Sequence, residues 1–254
     1  MLTSLPSLAA AEECAARVRS ATGFSPNERI ALDPLLTLGR FDLRCEPLGA
    51  NGGGIEAALA PRAENRFALS VDTKPRDGWG SMTPSVRKEL ARHRLRFRVA
   101  HEIGHSFFYD RAGERPRRMV PNSEEQERWC DRFASALLVP PSVLARRSAI
   151  PQSLAALQGQ FDVSLQVAVR AFARVHHERF VALLVARGRR PPHIRVQWQK
   201  HHGAPAARWW AGETLQRALS GARQCGAFQL AGPAGGRDAA WYALRGRQQV
   251  IVVA

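Results

Sequence analysis

Apolar residues recur along this chain with two different periods, and each change of period marks a new element. Leu8 to Ser20 carries the helical period, so the chain is expected to open on a helix. Phe41 to Leu48, the glycine-rich Gly49 to Gly54 and Ile55 to Leu59 read as two strands joined in a hairpin. Phe67, Leu69 and Val71 alternate with polar or small residues, which predicts another strand. From Phe97 the period turns helical. Phe97, Ala100, Ile103, Gly104, Phe107 and Phe108 form an apolar helical surround, and no proline falls between Pro84 and Pro116.

A second amphipathic helix is predicted from Ser123 to Leu138. Ser123 with Gln126 three residues later has the form of a capping box, Glu124 and Glu125 suit the positive end of the dipole, and Pro140 with Pro141 stops the run. At about 100° per residue, Cys130, Phe133, Ala134, Leu137 and Leu138 share one apolar arc, and Glu127 falls inside it. Downstream, Ser153 to Phe161, a tight turn at Asp162-Val163, and a helix capped by Ser164 and running to about Val175 have helix-turn-helix spacing. Turn position 162 holds Asp where Gly is common, and two packed helices with no DNA role fit the same pattern. Leu154, Leu157, Phe161, Val163, Val167 and Phe172 are expected inside, with Gln166, Arg170 and Arg174 exposed. After a basic, proline-containing break from Arg187 to Pro192, strands are predicted at Ile194 to Trp198, Ala227 to Leu230, Trp241 to Leu244 and Val250 to Val253, with a helix from Gly212 to Arg223.

The helical stretch after Phe97 contains His101-Glu102-Ile103-Gly104-His105. On a helix, side chains at i and i+4 stand about 5–6 Å apart on one face, close enough for two neutral imidazoles to share one Zn²⁺ at about 2.0–2.1 Å each. Glu102, beside them, can take a proton from a water whose pKa the cation lowers from about 15.7 to about 7. Catalytic zinc takes three protein ligands and leaves the fourth position to water, so one more ligand is needed. The metzincin pattern would place Gly and His three and six residues after His105, but those positions hold Phe108 and Arg111. Glu127 is the stronger candidate, because a carboxylate on an apolar face is costly unless paired or bound to metal. The competing reading pairs it with Arg128 or Arg132. Asp131, one turn later, suits the role of accepting the second ring N–H of a zinc-bound histidine and so setting its tautomer, although an ordinary ion pair fits it too.

The run Arg96-Phe97-Arg98-Val99-Ala100-His101-Glu102-Ile103-Gly104-His105 is followed by Glu127-x-x-Cys130-Asp131-x-Phe133-Ala134-x-x-Leu137-Leu138-x-Pro140. Together these resemble the two motifs of the ImmA/IrrE family of metallopeptidases, RFxxAHExGH and ExxANxFAxxLLxP, in order and at the family's usual separation. The resemblance implies His101, His105 and Glu127 as metal ligands and Glu102 as the catalytic acid and base. It implies a zincin-like fold, in which the strand through Phe67 to Val71 presents an edge to an extended substrate. It also implies a substrate class, a helix-turn-helix DNA-binding repressor cleaved to derepress stress-response or mobile-element genes. At position 109 many relatives carry His where this chain has Tyr109, which leaves an accessory polar role there open.

Composition bounds these readings. The 254 residues suffice for one large domain or two to three smaller ones. Cys14, Cys45, Cys130 and Cys225 form no Cys-x-x-Cys pair, so neither a disulfide framework nor a cysteine zinc site is implied and a reducing cytoplasm fits. The N-terminus lacks a basic region, Glu12 and Glu13 interrupt its apolar stretch, and no run approaches the roughly 18 apolar residues of a membrane span. A cytoplasmic location away from the membrane is expected. The net charge of +15 is uneven: residues 140–254 carry 16 basic and 4 acidic side chains, against 21 and 18 in residues 1–139. That excess hints at an anionic partner, including indirect nucleic-acid contact through the C-terminal half, with solvated surface charge as the plainer reading. His176, His177, His201 and His202 lack carboxylates at ligand spacing and read as surface histidines.

The expected architecture is therefore α+β: a zincin-like metallopeptidase domain over residues 1–149, a helix-turn-helix-like helical segment over 150–186, and a small accessory α/β module over 187–254. The expected function is a zinc-dependent endopeptidase acting on a DNA-binding repressor, with Mn²⁺ also suited to a site of two histidines and one carboxylate. Two alternatives stand beside it: a DNA-binding transcriptional regulator with a structural metal, and a metal-binding anti-repressor that blocks its partner without proteolysis.

Overall fold

Alternation along the strand at Phe67 is incomplete, because Phe67, Ala68, Leu69 and Val71 are all buried. Such a segment needs neighbours on both sides, and it has them: it is the central strand β3 (Arg66–Asp72) of a three-stranded sheet with β1 (Phe41–Glu46) and β2 (Ala57–Arg62) at the edges. β1 lies parallel to β3, from Phe41 opposite Phe67 to Glu46 opposite Asp72, and β2 lies antiparallel to it. The expected hairpin between the first two strands therefore does not form. The hairpin joins β2 to β3, and the sheet edge bordering the site is β2 rather than the strand at Phe67. The reason is apolar content: β3 alone buries four hydrophobic residues, whereas β2 exposes every second position.

The computed structural model describes residues 6–46, 56–72, 83–147, 151–175, 181–187, 194–200, 226–230, 237–243 and 248–253. It is a mixed α+β chain of two units, Met1–Val143 with Gly159–Ser164, and Leu144–Gln158 with Leu165–Ala254.

In the first unit, α1 (Leu8–Ala21) is capped by Ser7, whose hydroxyl accepts from the Ala10 N–H at 3.2 Å. A short helix not foreseen in the sequence, α2 (Leu32–Gly39), leads into β1. The long α3 (Pro84–His105) starts on proline, which loses nothing there because the first helical N–H has no intrahelical partner. A 3₁₀ turn (Ser106–Phe108) follows, then β4 (Tyr109–Asp110) paired with β5 (Arg117–Arg118), then α4 (Glu124–Leu138). Ser123 caps α4 by accepting from the Gln126 N–H at 3.1 Å. The other half of the predicted capping box is absent, since the Gln126 side chain turns inward and accepts from Arg118 at 3.1 Å instead.

Two sets of contacts fix α3 and α4. Phe107, Phe108, Trp129 and Phe133 form an aromatic cluster, with Trp129 stacked on Phe133 at 5.7 Å and edge-on to Phe108 at 5.1 Å, which clamps the end of α3 to α4. Arg19 on α1 donates to the Leu137 carbonyl at 2.7 Å and Arg132 pairs with Glu12 at 2.9 Å, tying α4 to α1. Elsewhere on α3, the buried Arg96 donates to the carbonyls of Ile30 at 2.9 Å, Asp162 at 3.1 Å and Phe161 at 3.3 Å. The Asp162 carboxylate accepts from Arg92 at 2.7 Å and His93 at 3.1 Å and lies 3.5 Å from Arg29. Asp162 has φ +52°, a left-handed conformation that Asp tolerates and that explains why glycine is common at such a turn. Here the turn also delivers an anion to three arginines and a histidine.

Helix α5 (Pro141–Leu144) and α6 (Pro151–Phe161) follow, the latter ending in the first unit. The second unit contains α7 (Leu165–Val175) and a five-stranded antiparallel sheet ordered β7-β6-β10-β9-β8, from β6 (Val181–Arg187), β7 (Ile194–Lys200), β8 (Gly226–Leu230), β9 (Arg237–Ala243) and β10 (Gln248–Val253). Four of these strands overlap predicted ones. β6 was not foreseen because Val181 to Ala186 is an unbroken apolar run, which periodicity cannot assign to strand or helix. On α7, Arg170 is exposed as expected, whereas Gln166 and Arg174 are half-buried. The predicted helix at 212–223 and the histidines at 176, 177, 201 and 202 lie outside the described residues.

The Asp162 cluster carries a pH dependence. Burial pushes His93 below its ordinary value against the pull of Asp162. Burial resists ionisation of Asp162, but Arg92 first, then His93 and Arg96, outweigh it and hold the carboxyl below the usual range. Both shifts are downward, so both groups contribute stability that is present at neutral pH. It is lost on acidification, for His93 as pH falls below about 6.5 and for Asp162 as it falls below about 3.9. Asp162→Asn, which keeps a residue tolerant of positive φ, should cost on the order of 3 kcal/mol at pH 7. In thermal unfolding followed by circular dichroism, its Tm gap to the wild type should narrow below about pH 4. A gap that does not change with pH would show that Asp162 is not an ionised anchor.

Candidate metal centre

His101 and His105 sit in the last turn of α3, where Gly104 faces α4. A Cβ built on Gly104 would lie 3.2 Å from a Phe133 ring carbon and 3.3 Å from the Cys130 Cα, so the absence of a side chain lets the two backbones approach. That approach brings Glu127, in the first turn of α4, across to the histidines.

The Glu127 carboxylate lies 3.1 Å from His101 Nε2 through one oxygen and 3.3 Å from His105 Nε2 through the other, and the two Nε2 atoms are 3.2 Å apart. His101 Nδ1 is 2.9 Å from an Asp131 carboxylate oxygen. Both histidines and Glu102 are buried. Glu127 is not buried as its place in the apolar arc suggested, for its side chain is 50% exposed and stands at the mouth of the site. The competing pairing is absent as well: Arg128 reaches Glu124 at 3.7 Å and Arg132 reaches Glu12.

Charge is distributed unequally over this group. Burial works to lower the His101 pKa, but hydrogen bonds to Asp131 and Glu127 win and raise it to about 9. His105 falls to about 4, through burial and then the neighbouring His101 cation. Burial raises the Glu102 carboxyl, with the Glu127 charge adding to the effect and His101 opposing it. Glu127 is lowered, chiefly by its hydrogen bond with His101. Burial, followed by the carboxylates of Glu127, Glu102 and Asp131, drives the Cys130 thiol well up.

These side chains open on a cavity of about 550 Å³, lined by His101, Glu102, His105, Glu127, Tyr109 and Arg118, by Arg98 and Glu56, and by Ala57 to Leu59 of β2. Asp131 touches His101 without lining it. A tetrahedral cation about 2.0–2.1 Å from each donor sets neighbouring donors about 3.3 Å apart; the two Nε2 atoms are 3.2 Å apart, and each is 3.1 or 3.3 Å from a different oxygen of Glu127. The donor set fits a divalent cation. His101, His105 and Cys130 are a second, wholly buried group that could hold a metal, their donor atoms lying within 4.8 Å of one another.

Arg118 in the cavity and Cys130 beside the histidines were not put forward from the sequence. Arg118 reaches the cavity because it lies opposite Tyr109 in the short β4–β5 pair, a pairing of two-residue strands that no period announces. Cys130 occupies the Ala of the second family motif, and that departure was the only sign of it in the sequence.

The arrangement brings two imidazoles and the carboxylates of Glu102 and Glu127 to one cavity of a mixed α+β domain. Residues 85–172 match the family model Peptidase_M78, described as an IrrE N-terminal-like domain. No curated protein matches the chain. Among solved structures it is similar to a Mycobacterium tuberculosis transcriptional regulator, 13% identical, over 96% of this chain and 75% of that one, with a TM-score of 0.46. No helix among the described residues is long and apolar enough to cross a membrane.

Gly104→Val would force the helices apart at Cys130 and Phe133. An overpacking cost of roughly 1–3 kcal/mol is expected, together with loss of stoichiometric metal measured by plasma mass spectrometry after loading and desalting. Full metal retention would show that close approach of the helices is not what positions Glu127.

Proposed function

We propose that this chain is a metal-dependent endopeptidase of zincin-like fold in which His101, His105 and Glu127 hold zinc and Glu102 is the general base and acid. The observation that carries the reading is the Glu127 carboxylate bridging both imidazoles at 3.1 and 3.3 Å, with Glu102 lining the same cavity. Glu127 is the better third donor than Cys130, because its carboxylate oxygens lie 3.1 and 3.3 Å from the two Nε2 atoms and line the cavity, whereas Cys130 does not line it. Manganese suits the same donors.

When bound, the cation supplies Lewis-acid polarisation of a carbonyl and acidifies water. Glu102 takes a proton from the attacking water and passes it to the leaving amine, so that the peptide C–N bond breaks with no net change at the carboxyl. Burial raises its carboxyl above the ordinary value, which favours the step in which Glu102 holds the proton before passing it on. Asp131 accepts from His101 Nδ1, which directs the Nε2 lone pair at the metal position.

Strand β2 supports an extended peptide as substrate. The Asp72 N–H donates to the Glu56 carbonyl at 2.9 Å, so in this antiparallel ladder residues 58, 60 and 62 also bond inward to β3. Ala57 and Leu59 then present N–H and C=O outward, and Pro61 presents only a carbonyl. A substrate strand has a full hydrogen-bonding edge beside the cavity for three residues, and proline ends it. The DNA-binding repressor remains the substrate class we assign, on the family resemblance and the cytoplasmic reading of the sequence.

Glu102→Gln is expected to bind zinc as the wild type does and to lose cleavage by at least about 10²-fold. The assay is mass spectrometry of candidate helix-turn-helix repressors incubated with each zinc-loaded protein, which also reports the cut site. Undiminished cleavage by the variant would remove Glu102 from the mechanism.

A further inference from the structure

The cavity holds two guanidinium groups. Arg98 is neutralised by Glu56. Arg118 is not: it donates from Nε to the Val120 carbonyl at 2.9 Å, from Nη2 to the side-chain carbonyls of Asn122 and, at 3.1 Å, of Gln126, and from Nη1 to the Tyr109 oxygen at 3.4 Å. All four acceptors are neutral, and among the described residues no carboxylate lies within the 4.0 Å of an ion pair with it. Its charge nevertheless reaches Glu102, His105 and Glu127, behind the larger effects of burial and of His101. A cation so tethered is held in place before any ligand arrives, and its charge is left for something that enters the cavity.

Tyr109 shares this arrangement. Its ring packs edge-on against Phe67 at 5.2 Å and lies under the Arg118 guanidinium at 5.5 Å, so the phenol cannot swing away. Guanidinium is a donor only, so in their contact the tyrosine oxygen accepts and its own O–H proton remains available to an acceptor in the cavity. Gln126, fully buried, braces Arg118 from α4, the same helix that carries Glu127.

We propose that Tyr109 and Arg118 form the oxyanion-binding pair of this site, donating to the carbonyl oxygen of the scissile peptide as water adds to its carbon. The inference rests on the peptidase reading above. In the addition step the C–O bond to water forms, Glu102 takes the water proton, and the carbonyl π electrons move to the oxygen that Tyr109 and Arg118 stabilise. In the collapse step the C=O re-forms, the C–N bond breaks and Glu102 protonates the amine. Neither Tyr109 nor Arg118 exchanges a proton.

The probe is an N-acetylated trialanine phosphinate, whose tetrahedral PO₂⁻ group replaces a peptide amide and carries the negative charge of the addition step. Calorimetry on zinc-loaded wild type, Tyr109→Phe and Arg118→Gln measures its affinity, and zinc affinity is measured alongside as a readout of the intact site. Both variants are expected to bind zinc as the wild type does and to bind the phosphinate at least about tenfold more weakly, towards the 10²–10³-fold that loss of one oxyanion donor costs. Variants that bind zinc and phosphinate as the wild type does would overturn the pairing alone. A zinc-loaded wild type that binds no phosphinate would overturn the peptidase reading and the pairing with it. Tyr109→Phe removes one oxygen from a ring that keeps its packing, so it tests the pair even if Arg118→Gln fails to fold.

Discussion

Everything at the site depends on how closely α3 and α4 can pack. Two histidines one turn apart define a line of donors on one helix, and Glu127 reaches them from another helix across a contact in which even a Cβ would be tight. Gly104 removes the obstacle at the point of closest approach, against Cys130 and Phe133. The aromatic cluster of Phe107, Phe108, Trp129 and Phe133 holds the helices there, with apolar burial on both sides of the contact offsetting the cost of three ionisable groups drawn together.

The rest of the first unit keeps α3 from moving. Arg96 spends its donors on three carbonyls from two distant segments, and Asp162 receives Arg92, His93 and Arg29 at a left-handed turn. The turn that resembled a DNA-reading motif in sequence is thus engaged with the helix that carries the histidines. A helix held at its middle by Arg92, His93 and Arg96 and at its C-terminal end by the aromatic cluster presents His101, Glu102 and His105 with little rotational freedom.

The elements most readable from sequence were those with a strong period and clear caps. α1, α3, α4 and the α6–α7 pair were visible because apolar spacing, the caps read at Ser123 and Ser164 and the flanking prolines agreed with one another. Sheet topology was not. A glycine-rich link between two apolar runs suggested a hairpin, whereas pairing was decided by which strand had to bury both faces, and that was β3. The structure brings together His101, Glu102, His105 and Glu127, which motif, helical period and resemblance had put forward, but the half-exposed position of Glu127 was not legible, because helical arcs ignore the cavity that opens at the helix end. Arg118 was invisible as a cavity residue because its place comes from the pairing of β4 with β5, which leaves no periodic trace, and the period placed Cys130 on the apolar arc without showing that it packs beside the histidines.

The central claim is that the cation is held by two imidazoles and the Glu127 carboxylate, with Cys130 beside the site and not in it. X-ray absorption at the zinc edge, on protein loaded with one equivalent of zinc, tests this directly. The expected first shell contains only nitrogen and oxygen at about 2.0–2.1 Å, with the multiple-scattering signature of imidazole. A sulfur scatterer at about 2.3 Å would contradict it and make Cys130 the third ligand.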